Sequence, residues 1–502
     1  MEKLQYFLVA ICCSLLVACN PVEEPKPDTK PEEGSLPEVK RDFDVLINWF
    51  EVAVKKTHPN IQKAWNTDAN PDDFNLLLVN DDRSRICAIT PDGKQEWKKS
   101  DWPEEIRLQV EQMNSFACTY ANNKSYTLIW CNYEDFDRIA DSMKPFGVTM
   151  NNKDMAFHWL ELFYHESFHE FVQRSDKGWK KTTEAYNRDQ SYPIDYSPRI
   201  YRKLALIALK NAWKNESGKA DSYARAKYWT DKYEKTYPNE AIGIKSTDID
   251  EATAEFFARN VVNMAFPDSY TLIYDIDTYN LGRGLDAESY MSSIAIQLLR
   301  REGRMDEAIS TFKAQNLTPV NCLLKDIPVP ANYDESQDAQ DSIRIRRATE
   351  QTIGDENPIV KPVAEIMKSH KEGKNIYLGM MEVNGSYTSS QGSYTLSEIT
   401  GFYCFVNFQI SSDFYEIKGQ TIMYSNGYDL APVSDMSHLV LTDSQTASTP
   451  IPPLSSVSIT TSAKLTQVTG EEFVEIKKLP VNVLIGKDSY GNTYVFCDFK
   501  KQ

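Results

Sequence analysis

The chain has 502 residues, 41% of them hydrophobic and 25% charged, a mix that excludes wholesale disorder. Its length suggests roughly two to four domains. The formal charge of −17, from 55 Lys+Arg against 72 Asp+Glu, repels phosphate backbones and argues against a nucleic-acid partner.

The first element is an apolar run, Leu4 to Ala18, behind Met1-Glu2-Lys3. It is too short to span a bilayer and has the form of a signal-peptide core, so residues 1–18 are expected to be a cleaved leader. The run ends in Leu16-Val17-Ala18-Cys19, which resembles the lipobox of bacterial lipoproteins. That resemblance implies that Cys19 carries the lipid. The chain is then exported and anchored at the outer membrane or cell surface, and touches the membrane through this anchor only. Residues 19–40 are rich in Pro, Glu and Lys with little to bury, and are expected to be a flexible tether.

Residues 41–375 are expected to form one domain. Phe43, Val45, Leu46, Trp49, Phe50 and Val54 recur at helical steps and predict a helix within 41–65. Between 74 and 150, short apolar runs such as Phe74-Asn75-Leu76-Leu77-Leu78-Val79 and Tyr126–Cys131 are bounded by turn residues and predict a small sheet. Helical patterns dominate 154–320, and the polar stretch 328–358 reads as loop and short helix. From 376 to 502 Ser, Thr, Tyr, Val and Gly rise, and strand-length runs predict a separate all-β sandwich or barrel. The fold class expected is therefore α+β. No CxxC pair occurs, so a thiolate zinc site is not supported. Cys87, Cys118 and Cys131 are close enough in sequence for pairing, and buried free thiols are the equal alternative.

One passage carries chemistry. His165-Glu166-Ser167-Phe168-His169 is an HExxH pattern. Residues four apart lie on one helix face, so both imidazoles can reach a single ion, with Glu166 beside a water on that ion. Zinc is the metal expected, with Glu166 as general base. At about 100° per residue, Asp154, His158, Glu161, His165, His169 and Gln173 form one polar stripe on an otherwise apolar helix.

A catalytic zinc needs a third protein ligand. Thr247 and Asp250 are spaced as a capping box, so a helix is expected to begin there and to bring Glu251 and Glu255 to one face. Glu251 is assigned as the third ligand and Glu255 as the carboxylate that accepts a ring N–H from a ligand histidine. Glu255 or Asp248 takes the ligand position if the register differs. Small Ala252, Thr253 and Ala254 would allow close approach of another helix.

HESFH followed by the helical Glu251-Ala-Thr-Ala-Glu255 resembles the gluzincin group of zinc metallopeptidases, the thermolysin-like superfamily. The resemblance implies a zincin-like catalytic domain, one zinc on His165, His169 and Glu251, and Glu166 as base. The 82 positions between His169 and Glu251 exceed the spacing of compact members, so the segments between them are expected to pack as an insertion. A third His in the metzincin arrangement is missing. His58, His370 and His438 are isolated and read as structural or exposed. An oxyanion donor could come from Tyr192, Tyr196, Arg199 or Tyr201, with nothing in the spacing to select among them.

Two functions are in play. One is a membrane-anchored zinc peptidase acting on a peptide or protein. The other is a non-catalytic surface lipoprotein that binds a glycan or protein through aromatic faces.

Overall fold

The computed structural model describes residues 36–499. Excepted are 114, 145–148, 175–176, 181–189, 269, 271–284, 355, 358–359, 382–385, 390–391, 398–402, 412–414, 426–427, 434–440, 447–454, 459, 464–472 and 477–480. The apolar lead, Cys19, most of the tether and His438 lie outside the described residues. The chain divides into two compact units, residues 1–186 with 200–344, and residues 187–199 with 345–502.

The first unit is mostly helical and carries a small mixed sheet near its N-terminus. Helix α1 (Phe43–Thr57) begins at Asp42, whose side chain accepts from the Val45 N–H and so satisfies a donor that the first turn leaves open. Leu46, Trp49, Phe50, Ala53 and Val54 form its buried face. Helix α2 (Ile61–Ala64) follows after a short turn.

Five strands come next: β1 (Leu76–Val79), β2 (Ile86–Thr90), β3 (Gly93–Trp97), β4 (Phe116–Ala121) and β5 (Lys124–Trp130). Their order is β3-β2-β1-β5-β4, with β1 and β5 parallel and the remaining pairs antiparallel. All four β1 residues are buried, as expected of a central strand covered on both faces. The β4–β5 hairpin turns on Asn122 and Asn123, with φ of 51° and 60°. Two successive left-handed residues match the strand twist, and Asn tolerates that region better than most side chains. Helix α3 (Glu104–Gln112) packs Ile106 and Val110 against Leu77, Val79 and Leu128. Helix α4 (Tyr133–Met143) follows β5 and is capped by Asn132.

Helix α5 (Asn152–Phe168) starts with a capping box between Asn151 and Asp154, and every residue from Asp154 onward is buried. A helix apolar on nearly all sides belongs in a core. It runs into a π-helical turn, His169–Gln173, closed by Arg174 N–H donating to His169 O. Helices α6 (Tyr196–Lys214), α7 (Lys219–Thr236) and α8 (Pro238–Ala265) succeed one another.

The expected start of a helix at Thr247 is not observed. Helix α8 begins nine residues earlier, at Pro238, because proline at the first helical position loses no hydrogen bond and comes with the right φ. Thr247 is a buried mid-helix residue, and Asp250 accepts from Gln315 instead of capping. The stretch expected to hold only loop and short helix contains a 15-residue helix, Ala339–Ile353.

The second unit includes the helix Lys361–Lys371 and strands drawn from 376–499. The strands pair mainly antiparallel, and Gln190–Tyr192 joins them parallel to Gly392–Leu396. Its best-defined packing surrounds His370, which is buried and shares a 2.9 Å hydrogen bond with the Tyr377 hydroxyl. The Asp488 carboxylate lies 3.7 Å from the other ring nitrogen. Among the described residues of the whole chain, no helix is long and apolar enough to cross a membrane.

Candidate metal centre

Helices α5 and α8 pack together through aromatic rings. Phe257 of α8 stacks obliquely on Phe168 at 4.7 Å between centroids, and also meets Phe74 and Tyr164. This packing fixes the distance between two helices that each carry buried polar side chains. Ala252, Thr253 and Ala254 are all buried in α8.

His165, His169 and Glu251 come together as a buried group able to hold a metal ion. The two Nε2 atoms are 3.0 Å apart, and each lies 3.2 Å from Glu251 Oε2. The other nitrogen of each ring is already committed. His165 Nδ1 donates to Glu255 Oε2 at 3.2 Å, and His169 Nδ1 donates to Gln173 Oε1. The Gln173 amide is oriented unambiguously, because its Nε2 donates to the Asp250 carbonyl at 2.8 Å, and a carbonyl can only accept. In their neutral form, the one that binds a metal, both rings therefore turn a lone pair toward the carboxylate oxygen, and three lone pairs converge on one point. Such a cluster requires a positive charge at its centre. Burial alone would lower the His165 pKa, but hydrogen bonds to Glu251 and Glu255 push it up to about 10.

Glu255, as expected, is the carboxylate behind His165. It is fully buried, and Arg259 supports it from one turn further along, 3.5 Å away. The same guanidinium lies 3.0 Å from Glu161. Burial pushes Glu161 up, whereas for Glu255 the bond to His165 and the charge of Arg259 outweigh burial and hold its pKa down.

Glu166 is also buried, yet its carboxylate accepts no hydrogen bond among the described residues. Burial raises its pKa, against the pull of His165 and His169. A buried carboxylate with a raised pKa beside a group of metal donors is a candidate for proton transfer. Near it, the Cys118 thiol donates weakly to the Glu166 carbonyl at 3.8 Å. This ties strand β4 to the histidine-bearing helix. Among the described residues β4 pairs only with β5, and its other edge pairs with none of them.

Asp248 is not part of this group. It pairs with Arg202 at 2.6 Å and accepts from Ser289 at 2.6 Å. Of the oxyanion candidates, Tyr192, Tyr196 and Arg199 belong to the second unit. Tyr201 is stacked on Trp229, with Lys232 over its ring. Cys19 lies outside the described residues. Cys87, Cys118, Cys131 and Cys322 are free thiols, and burial raises the Cys87 pKa to about 11.

Two neighbours of the site escaped sequence reasoning, Arg259 and Tyr290, whose ring lies 5.3 Å from that of His165; Gln173 stood on the polar stripe, but without an assigned role. Arg259 follows Glu255 by four residues, a same-face signal that was there to be read. Nothing local marks Tyr290. Set against protein-family models, curated proteins and solved structures, the chain matches none of them.

Proposed function

We propose that the protein is a zinc-dependent peptidase of gluzincin type, carried on an exported, lipid-anchored chain, with Glu166 as general base. The observation that carries this reading is the buried Glu166 carboxylate beside three converging metal donors. The donor set supports zinc. Ligands about 2.0–2.1 Å from a tetrahedral zinc stand roughly 3.3 Å from one another, close to the 3.0–3.2 Å separations here. Two imidazoles and one carboxylate also leave a fourth position open.

When bound, zinc supplies Lewis acidity toward water and toward a substrate carbonyl. His165, His169 and Glu251 hold it, while Glu255 and Gln173 fix the two rings. Glu166 accepts the proton of the attacking water and delivers it to the departing amine nitrogen. A pKa raised by burial suits both tasks, since the group must take a proton and give it back. The edge of β4 that pairs with none of the described residues supports a peptide as substrate, because an extended chain can hydrogen-bond along it as an added strand. We further propose that 376–502 form a separate all-β sandwich or barrel that positions substrate or a partner.

Metal analysis of the purified protein tests the reading. About one zinc per chain in the wild type and none in His165→Ala supports it; no metal in either, with the fold intact, favours a non-catalytic glycan- or protein-binding lipoprotein. Glu166→Gln is expected to retain zinc and to lose at least ~100-fold in the hydrolysis of a peptide library. Undiminished turnover in that variant removes Glu166 from the role of base.

A further inference from the structure

We infer that Gln173, placed by the π-helical turn, is a positioning residue that locks the second and third metal ligands to one another. This inference rests on the proposed metal site and adds a residue outside the ligand set. Gln173 reaches three groups at once. Its Oε1 accepts from His169 Nδ1, and its Nε2 donates to Asp250 O at 2.8 Å and Thr253 Oγ1 at 2.7 Å. Residues 250 and 253 flank Glu251 in α8, so one amide spans both helices at the height of the third ligand.

The arrangement has a single sense. The Thr253 hydroxyl donates to Ile249 O at 2.8 Å, leaving its oxygen to accept. Asp250 O accepts by nature, so both amide hydrogens are committed to α8 and only the amide oxygen can face His169. That oxygen in turn requires the proton of His169 on Nδ1, which frees Nε2 for a metal. The amide therefore sets a tautomer and a distance together.

The surroundings give the lock a second tier. Gln315 donates to Asp250 Oδ1 at 2.8 Å, and the Asp250 side chain is buried enough to push its pKa up to about 6. Asp250 is thus held through its side chain as well as through its carbonyl. The π turn ends at Gln173, and Arg174 N–H closes the wide ring onto His169 O. Such turns are rare and concentrate at functional sites.

The test compares zinc affinity by chelator competition in the full chain for wild type, Gln173→Leu, Gln173→Glu and Thr253→Ala. Gln173→Leu loses both halves of the lock and is expected to bind zinc about 10–100-fold more weakly. Gln173→Glu keeps an acceptor for the ring N–H but loses the donors to α8, and falls between. Thr253→Ala removes one α8 contact and has the smallest effect. Cobalt-substituted Gln173→Leu is expected to show a shifted visible spectrum, and 15N NMR of the ion-free variant a mixture of His169 tautomers in place of one. Affinity, spectrum and tautomer all unchanged in Gln173→Leu would overturn the inference while leaving the metal site standing. Failure of the wild type to bind zinc would overturn both.

Discussion

At the scale of single residues, the site is organised by committed hydrogen bonds. Each imidazole of the group has Nδ1 on an acceptor and Nε2 turned toward Glu251, which holds two flexible rings in fixed orientations. Arg259 extends this order outward, because it is the cation that lets Glu161 and Glu255 share a buried space. Replacing it with leucine strands two carboxyl groups in the core. Removal of one partner from a buried ion pair typically costs about 3–5 kcal/mol, and urea unfolding of Arg259→Leu is expected to show a loss of that order. A change below about 1 kcal/mol would mean that Glu161 and Glu255 are satisfied without it.

At the scale of elements, the relation of α5 to α8 decides whether a metal can be held. Phe257 touches Phe74, Tyr164 and Phe168 and lies between the two helices. Phe257→Ala should destabilise the protein by about 3–5 kcal/mol through the cavity it leaves. Zinc affinity should fall with it, because Glu251 is then less firmly held against the histidines. Denaturant titration and chelator competition on the same preparation check both effects. An affinity equal to wild type would separate the aromatic layer from the site.

The same elements account for what sequence could and could not reveal. His165, Glu166 and His169 are legible because a four-residue spacing defines a face wherever the helix begins or ends. Glu251 and Glu255 share a face for the same reason, which is why the wrong starting point for α8 left both of them beside the histidines. Gln173 stood on the predicted polar stripe, but its role depends on a π turn that no local pattern announces. Asp248 looked equivalent to its neighbours, and it is claimed by Arg202 from a segment 46 positions away. The pairing of Gln190–Tyr192 with Gly392–Leu396 joins strands some 200 residues apart, a distance at which hydrophobic periodicity carries no information.

At the scale of the whole molecule, stability should depend on both metal and pH. A metal held as proposed by His165, His169 and Glu251 would bridge α5 and α8, so loading is expected to stabilise the first unit by mass action, by about 4 kcal/mol at a thousandfold excess over Kd. Chelation is therefore expected to lower the melting temperature, and calorimetry with and without a zinc chelator checks this. The second unit responds to pH through His370. Burial holds its pKa below the usual imidazole value, and Asp488 offsets this only in part. The unfolded chain thus takes up this proton more readily than the folded one. The contribution of His370 is complete above about pH 6.5 and is lost as pH falls through that value, at no more than about 1.4 kcal/mol per pH unit. Melting curves between pH 7.5 and 5.5 should show this decline, and His370→Gln should flatten it.

The unpaired thiols have a practical consequence for assembly. Cys87, Cys131 and Cys322 are sealed inside the native protein, but an open chain offers all of them as soft ligands. Zinc present from the outset would be drawn toward that sulfur before the histidines meet their carboxylate. The productive order is to fold first and metallate afterwards. Renaturation with a chelator, followed by its replacement with zinc, should give a larger loaded fraction than renaturation in zinc throughout.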